Sequence, residues 1–116
     1  LAVNQDDHVK NISFLMNREG IWSLSPAYDV TFSSDPENRW LKAHQMTVNG
    51  KMSNISPEDL IACGKKMDLK SPKCNKIIND VTTAVKQWKD IASSVGIREQ
   101  TISLIQNEHK NNLYNA

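Results

Sequence analysis

The 116-residue chain has little cysteine, few aromatics and no long apolar run. Two cysteines, Cys63 and Cys74, lack CxxC spacing and a nearby histidine pair, which argues against zinc and fits a reducing compartment. No segment approaches the ~20 apolar residues of a membrane span, and no charged-then-apolar leader opens the chain. The three histidines, His8, His44 and His109, form no HExxH array. Only four glycines are present, and none forms a phosphate-cradling cluster. Metalloprotease and P-loop chemistry are therefore excluded on motif grounds, and neither a membrane nor direct nucleic-acid binding is expected.

Hydrophobic residues at 39% and charged residues at 23% describe an ordinary globular domain, long enough for one core. The net charge of +1 conceals an asymmetry. Residues 1–60 carry five Lys/Arg against eight Asp/Glu, whereas residues 61–116 carry nine against five. Acids thus gather in the first half, and the later lysines read as solvated helix faces. The chain opens at Leu1 with a motif almost at once, which reads as a fragment of a longer protein.

The runs ISFLM (12–16) and IWSLS (21–25) are separated by the polar turn NREG, which predicts a β-hairpin closed before Pro26. Residues 33–40 form a polar loop, and Asn49-Gly50 signals a tight turn in a short extended segment. Ser56, Pro57 and Asp59 form a helix start with a capping box, and the helix should run to about Lys66. Ser71-Pro72 reads as a second such start. Ile77, Ile78, Val81, Val85, Trp88, Ala92 and Val95 then recur at helical spacing, predicting one amphipathic helix that stops at Gly96. Ile102, Ile105, His109 and Leu113 mark a last helix. The expected fold is α+β and mostly α, a short N-terminal hairpin followed by a helical bundle. It forms a single domain over 1–116, with loop and hairpin in 1–32, an extended segment in 33–55 and helices in 56–116.

The stretch NQDDHVKN (4–11) sets two adjacent acids and a histidine between asparagines. Such a run is usually a solvated loop, unless it holds a proton acceptor and a metal ligand. Asp6 and Asn11 stand in the order D-x-x-x-x-N, and a hairpin that runs out and back returns Asp29 close to Asn11. An acid to accept a hydroxyl proton, plus oxygen ligands for a divalent cation, is what phosphoryl transfer requires.

NQDDHVKNISFLM followed by WSLSPAYDV resembles the C-terminal catalytic domain of HipA-type serine/threonine kinases, the toxins of bacterial toxin–antitoxin pairs. HQMTVNGK and ISPEDL extend the likeness, which covers roughly residues 4–62. The resemblance implies Asp6 as catalytic acid, Asn11 and Asp29 as Mg²⁺ ligands, and Lys10, Asn11 and Asp29 as contacts of ATP. It implies structural support from His8, bracing the loop by hydrogen bonds, and from Tyr28, packing beneath the metal acid. It further implies a bacterial cytoplasmic enzyme with a protein substrate of the aminoacyl-tRNA synthetase class and a DNA-binding antitoxin partner. Asp29-Val30 replaces Asp-Phe-Gly and no His-Arg precedes Asp6, so a eukaryotic-type kinase fits less well. Asp7 stands where such domains often carry Gly, and nothing in the sequence assigns it a task. Two other classes of function fit the same residues: a non-catalytic helical module binding the antitoxin, and a Mg²⁺-dependent phosphohydrolase acting through a water.

Overall fold

A computed structural model describes residues 1–114, with side chains through residue 112. The fold is α+β and mostly helical. Phe14–Met16 (β1) pairs antiparallel with Trp22–Leu24 (β2), with Phe14 opposite Leu24 and Met16 opposite Trp22. Backbone bonds from Ser25 to Ser13 and from Asn17 to Ile21 continue the ladder at both ends, so pairing spans nearly all of the two expected runs. The turn forms because Asn17 Oδ1 accepts from the amides of Glu19 and Ile21, while Gly20 takes the left-handed backbone at φ 79°.

Asn49 (φ 52°) and Gly50 (φ 81°) supply two consecutive left-handed residues, which closes the Val48–Lys51 bridge. This small turn is anchored on the next element. Pro57–Lys66 (α1) starts with a reciprocal capping box: Ser56 Oγ accepts from the Asp59 amide, and Asp59 Oδ2 accepts from the Ser56 amide. Asp59 also accepts from Asn49 Nδ2 at 2.9 Å and Lys51 Nζ at 2.7 Å. Those two donors, with the Ser56 amide, hold its carboxyl well below the usual carboxylate range.

Two sequence expectations change. Ser71–Lys86 (α2) is capped at Lys70, without a side-chain cap bond, so Ser71 is the first helical residue rather than the cap. The apolar stripe from Ile77 to Val95 does not build one helix. The helical hydrogen-bond pattern breaks at Gln87, and Trp88–Ser94 (α3) follows as a separate short helix. The break accompanies a tertiary contact: Trp88 Nε1 donates to the Ile102 carbonyl at 3.1 Å. Gly96 (φ 77°) ends α3 as the sequence predicts, and Glu99–Tyr114 (α4) is the final helix. Leu113, an expected apolar position of that helix, lies outside the described side chains.

Helix α1 packs on α2, and α3 packs on α4. The buried apolar core contains Val3, Cys74, Ala92 and Ile102. His109 is buried between the rings of Phe32 and Trp88, edge-on to both, with centroids 6.2 and 5.9 Å away. Burial pushes its imidazole pKa down, so it packs as a neutral ring. This cluster ties the strand-proximal segment at Phe32 to α3 and α4.

The remainder is thinly covered. The radius of gyration is 15.9 Å, against about 13 Å for a compact domain of this length. Accessible surface is 8641 Å², against about 6,400 Å² for a compact monomer of this mass. Phe14, Met16, Trp22 and Leu24 on the hairpin are each more than half exposed. A cavity of about 680 Å³ opens between the first residues, α1 and α2, lined by Leu60, Met67, Leu69, Ile77, Ile78 and Val81 among others. Ile77 and Val81 face it half-exposed, so the apolar stripe of α2 is only partly buried.

Where α1 meets α2 there is no slack. A methyl group on Gly64 would lie 2.4 Å from Cys74 Sγ, while its next neighbours would be at 3.7 Å or more. Gly64→Ala should destabilise the domain by about 1–3 kcal/mol through overpacking. Adding Cys74→Ala removes the clashing sulfur and should recover part of that loss, a coupling that urea unfolding of the single and double variants will read.

Candidate functional site

The loop of residues 4–11 is shaped by contacts with the chain that follows the hairpin. Asn4 and Ser33 form a parallel bridge, with Ser33 N donating to Val3 O at 2.9 Å and Gln5 N to Ser33 O at 2.8 Å. Val3 is buried there with a left-handed backbone, φ 57°. For a β-branched residue this conformation costs on the order of 1–3 kcal/mol, so the surrounding packing must hold it. Beyond this bridge, Val9–Asn11 makes a single 3₁₀ turn closed by the Asn11 amide on the His8 carbonyl.

That turn faces Asp29. Asn11 Nδ2 donates to Asp29 Oδ2 at 2.7 Å, and Asn4 Nδ2 donates to the Asp29 carbonyl at 3.1 Å. Asp29 is itself left-handed at φ 55°, a strained position that Asp tolerates better than most residues. Next to it, the Tyr28 hydroxyl donates to the Lys10 carbonyl at 2.7 Å. The Asn11 bond to Asp29 and the Tyr28 bond to Lys10 therefore stitch the hairpin exit to the turn, and Asn4 ties it to the start of the loop.

Asp6 sits on the wall of a cavity of about 310 Å³ that it shares with His8, Val9, Lys10, Trp40 and Gln45. Its carboxylate has no hydrogen-bonding partner among the described residues. The structure thus joins Asn11 to Asp29 directly and sets Asp6 in a cavity that neither of them lines. Lys10 belongs to both halves, lining the cavity while its carbonyl holds Tyr28.

One of the two supporting residues acts differently from expectation. The His8 ring does not brace the loop by hydrogen bonds: its Nδ1 is buried without a partner, and its carbonyl makes the bracing contact. The Tyr28 hydroxyl reaches across to the turn, and the residue is 43% exposed.

Asp7 has a clear task. Its Oδ2 accepts from His44 Nδ1 at 2.8 Å, and its Oδ1 accepts from the Gln45 amide at 2.7 Å and more weakly from Met46 at 3.4 Å. The Gln45 side chain in turn donates to the Trp40 carbonyl. Sequence reasoning missed Asp7, Trp40, His44 and Gln45 because the partners lie 37–39 residues from Asp7, in a loop with no periodicity. The second asparagine of the framing pair, Asn4, carried a signal that was available: an amide at each end of an acidic loop.

Among the described residues no group of three or more His, Cys, Asp or Glu could enclose a metal. The Asn11–Asp29 pair offers the amide Oδ1 and the carboxylate oxygens, of which Asp29 Oδ2 already accepts from Asn11 Nδ2. That fits Mg²⁺, which keeps waters and phosphate oxygens in its shell, and does not fit a protein-enclosed metal.

Compared with known families, residues 1–89 match the HipA-like C-terminal domain. The chain belongs to this family. The match takes in the loop, the hairpin, Asp29, α1, α2 and the start of α3, so the residues of the site all lie inside it. No curated protein and no solved structure matches the chain.

Asp7→Ala should cost about 1–3 kcal/mol, since it strips a half-buried acceptor from two amides and an imidazole. Hydrogen exchange checks the assignment: the Gln45 and Met46 amides should lose protection while those of α4 keep it.

Proposed function

We propose that this HipA-like domain is the C-terminal lobe of a protein serine/threonine kinase. The reading rests on the Asn11–Asp29 contact together with Asp6, a carboxylate without a hydrogen-bonding partner among the described residues, in a cavity lined by Lys10 of the same turn. In it the acceptor hydroxyl lies at Asp6. The hydroxyl oxygen bonds to the γ-phosphorus of ATP, the bond to the β–γ bridging oxygen breaks, ADP leaves, and the hydroxyl proton passes to Asp6. Asn11 and Asp29 would hold Mg²⁺, which when bound offsets charge on the nucleotide phosphates. Lys10, exposed and without an ion-pair partner among the described residues, adds positive charge on the same turn. The tight stitching of the turn suits this chemistry, because positioning and charge stabilisation supply nearly all the catalysis in phosphoryl transfer.

Within this reading the domain supplies the acids and another part of the protein supplies the rest of the nucleotide pocket, since the sequence has no glycine-rich loop. The large accessible surface and the uncovered hairpin support such a neighbour. The domain alone would then be inactive. A cytoplasmic setting, an aminoacyl-tRNA synthetase as target and restraint by a DNA-binding antitoxin are further parts of the proposal, carried by the family resemblance. The same uncovered hairpin supports a second reading, a non-catalytic module that binds the antitoxin.

Radiolabel transfer from ATP by the full-length protein, read on itself or on an acceptor, separates these readings. Asp6→Asn, nearly isosteric, should lower turnover by about 10²–10⁴-fold. Asp29→Asn should instead raise the Mg²⁺ concentration needed for half-maximal rate. Undiminished transfer by Asp6→Asn would remove Asp6 as the proton acceptor, and absence of transfer by the unaltered protein would favour the interaction module.

A further inference from the structure

The cavity beside Asp6 has a wall that phosphoryl transfer does not explain. Trp40 is 58% exposed and Val9 is 74% exposed, and both line it. Isolated exposed apolar residues need no explanation, but the Trp40 backbone is fixed by two hydrogen bonds and its ring meets one cation. Its amide donates to Asn38 Oδ1 at 2.9 Å, its carbonyl accepts from Gln45 Nε2, and the Arg39 guanidinium lies over its ring at 4.3 Å. The loop that carries it is closed by backbone bonds between Asp35 and Leu41 and between Asn38 and Leu41. Gln45 is itself fixed through its amide on Asp7, the residue next to Asp6. A chain of contacts therefore runs from Asp7, the neighbour of the proposed proton acceptor, to the Trp40 backbone, and leaves the indole in water.

Size narrows the occupant. A volume of about 310 Å³ is at the small end of ligand sites and equals roughly ten waters. It accommodates one or two side chains, not a nucleotide or a packed helix. Its lining combines one carboxylate, one ammonium, the polar side chains of His8 and Gln45 and two uncovered apolar groups, which suits a peptide that offers a hydroxyl to Asp6 and an apolar group to Trp40.

We propose that Trp40 and Val9 form a subsite for a bulky apolar side chain adjacent to the acceptor serine or threonine, so that this domain selects hydroxyls with an apolar neighbour. The inference rests on the kinase reading and deepens it. Trp40 acts here as a specificity-determining residue, in contact with the substrate but not with the reacting atoms.

The test uses the full-length protein and two acceptor peptides, identical except that the residue beside serine is leucine in one and glycine in the other. The leucine peptide should be preferred about tenfold in kcat/KM, with the difference in KM, as expected for filling a hydrophobic pocket. Trp40→Ala should abolish the preference and Trp40→Phe should keep most of it. Val9→Ser, an exposed substitution that does not endanger folding, should reduce it independently. A wild-type protein indifferent to the neighbour, or a Trp40→Ala protein that still discriminates, would overturn the subsite and leave the kinase reading standing. Absence of transfer to any hydroxyl, its own included, would overturn the kinase reading and the subsite with it.

Discussion

One junction governs the site: the chain before the acidic loop is held against the chain after the hairpin. The Asn4–Ser33 bridge and the Asn4 bond to the Asp29 carbonyl fix the two segments in register. Two residues within it have left-handed backbone: Val3, whose β-branched side chain disfavours it, and Asp29, which tolerates it better. Strain of that kind persists only where several contacts over-determine the conformation. Here the contacts are the burial of Val3, the backbone bonds to Ser33 and the paired asparagine amides on Asp29. The result is that an acid twenty-three residues from Asp6 returns to the same turn and presents its carboxylate to Asn11.

Around that junction the domain invests in local hydrogen bonding more than in core. Asp59 closes the α1 capping box and anchors the Asn49–Gly50 turn with one carboxylate. Asp7 does the comparable task for residues 44–46. By contrast, the apolar hairpin is covered on neither face, and the stripe of α2 borders an open cavity. A two-stranded hairpin has little stability alone in water. Its order here comes from the Asn17 turn at one end and the Tyr28 and Asp29 stitches at the other.

What could be read from sequence was what local chemistry decides. The hairpin follows from two strand-forming runs and an Asn…Gly turn, and α1 from a capping box whose three residues adjoin. The approach of Asp29 to Asn11 was legible because a hairpin of known length has a known return. The break at Gln87 was not, since the apolar spacing continues in register through Trp88, Ala92 and Val95, and only the reach of Trp88 to Ile102 accompanies the change. The start of α2 moved by one residue because Ser71 makes no cap bond. Asp7 was opaque for a related reason. Its partners are remote in sequence, and a charge without a visible partner reads as solvated.

The central claim is that Asn11 and Asp29 form the cation-binding edge of a phosphoryl-transfer site. It is tested most directly by titrating the isotopically labelled full-length protein, in the presence of ADP, with Mn²⁺, a paramagnetic stand-in for Mg²⁺, and mapping which amide resonances broaden first. The account predicts that Asn11 and Asp29 with their immediate neighbours broaden at the lowest concentration, and that Asp29→Asn abolishes the effect there. Broadening that begins at other carboxylates, such as Asp35 and Glu37 on the outer loop, and leaves Asn11 and Asp29 sharp would contradict it.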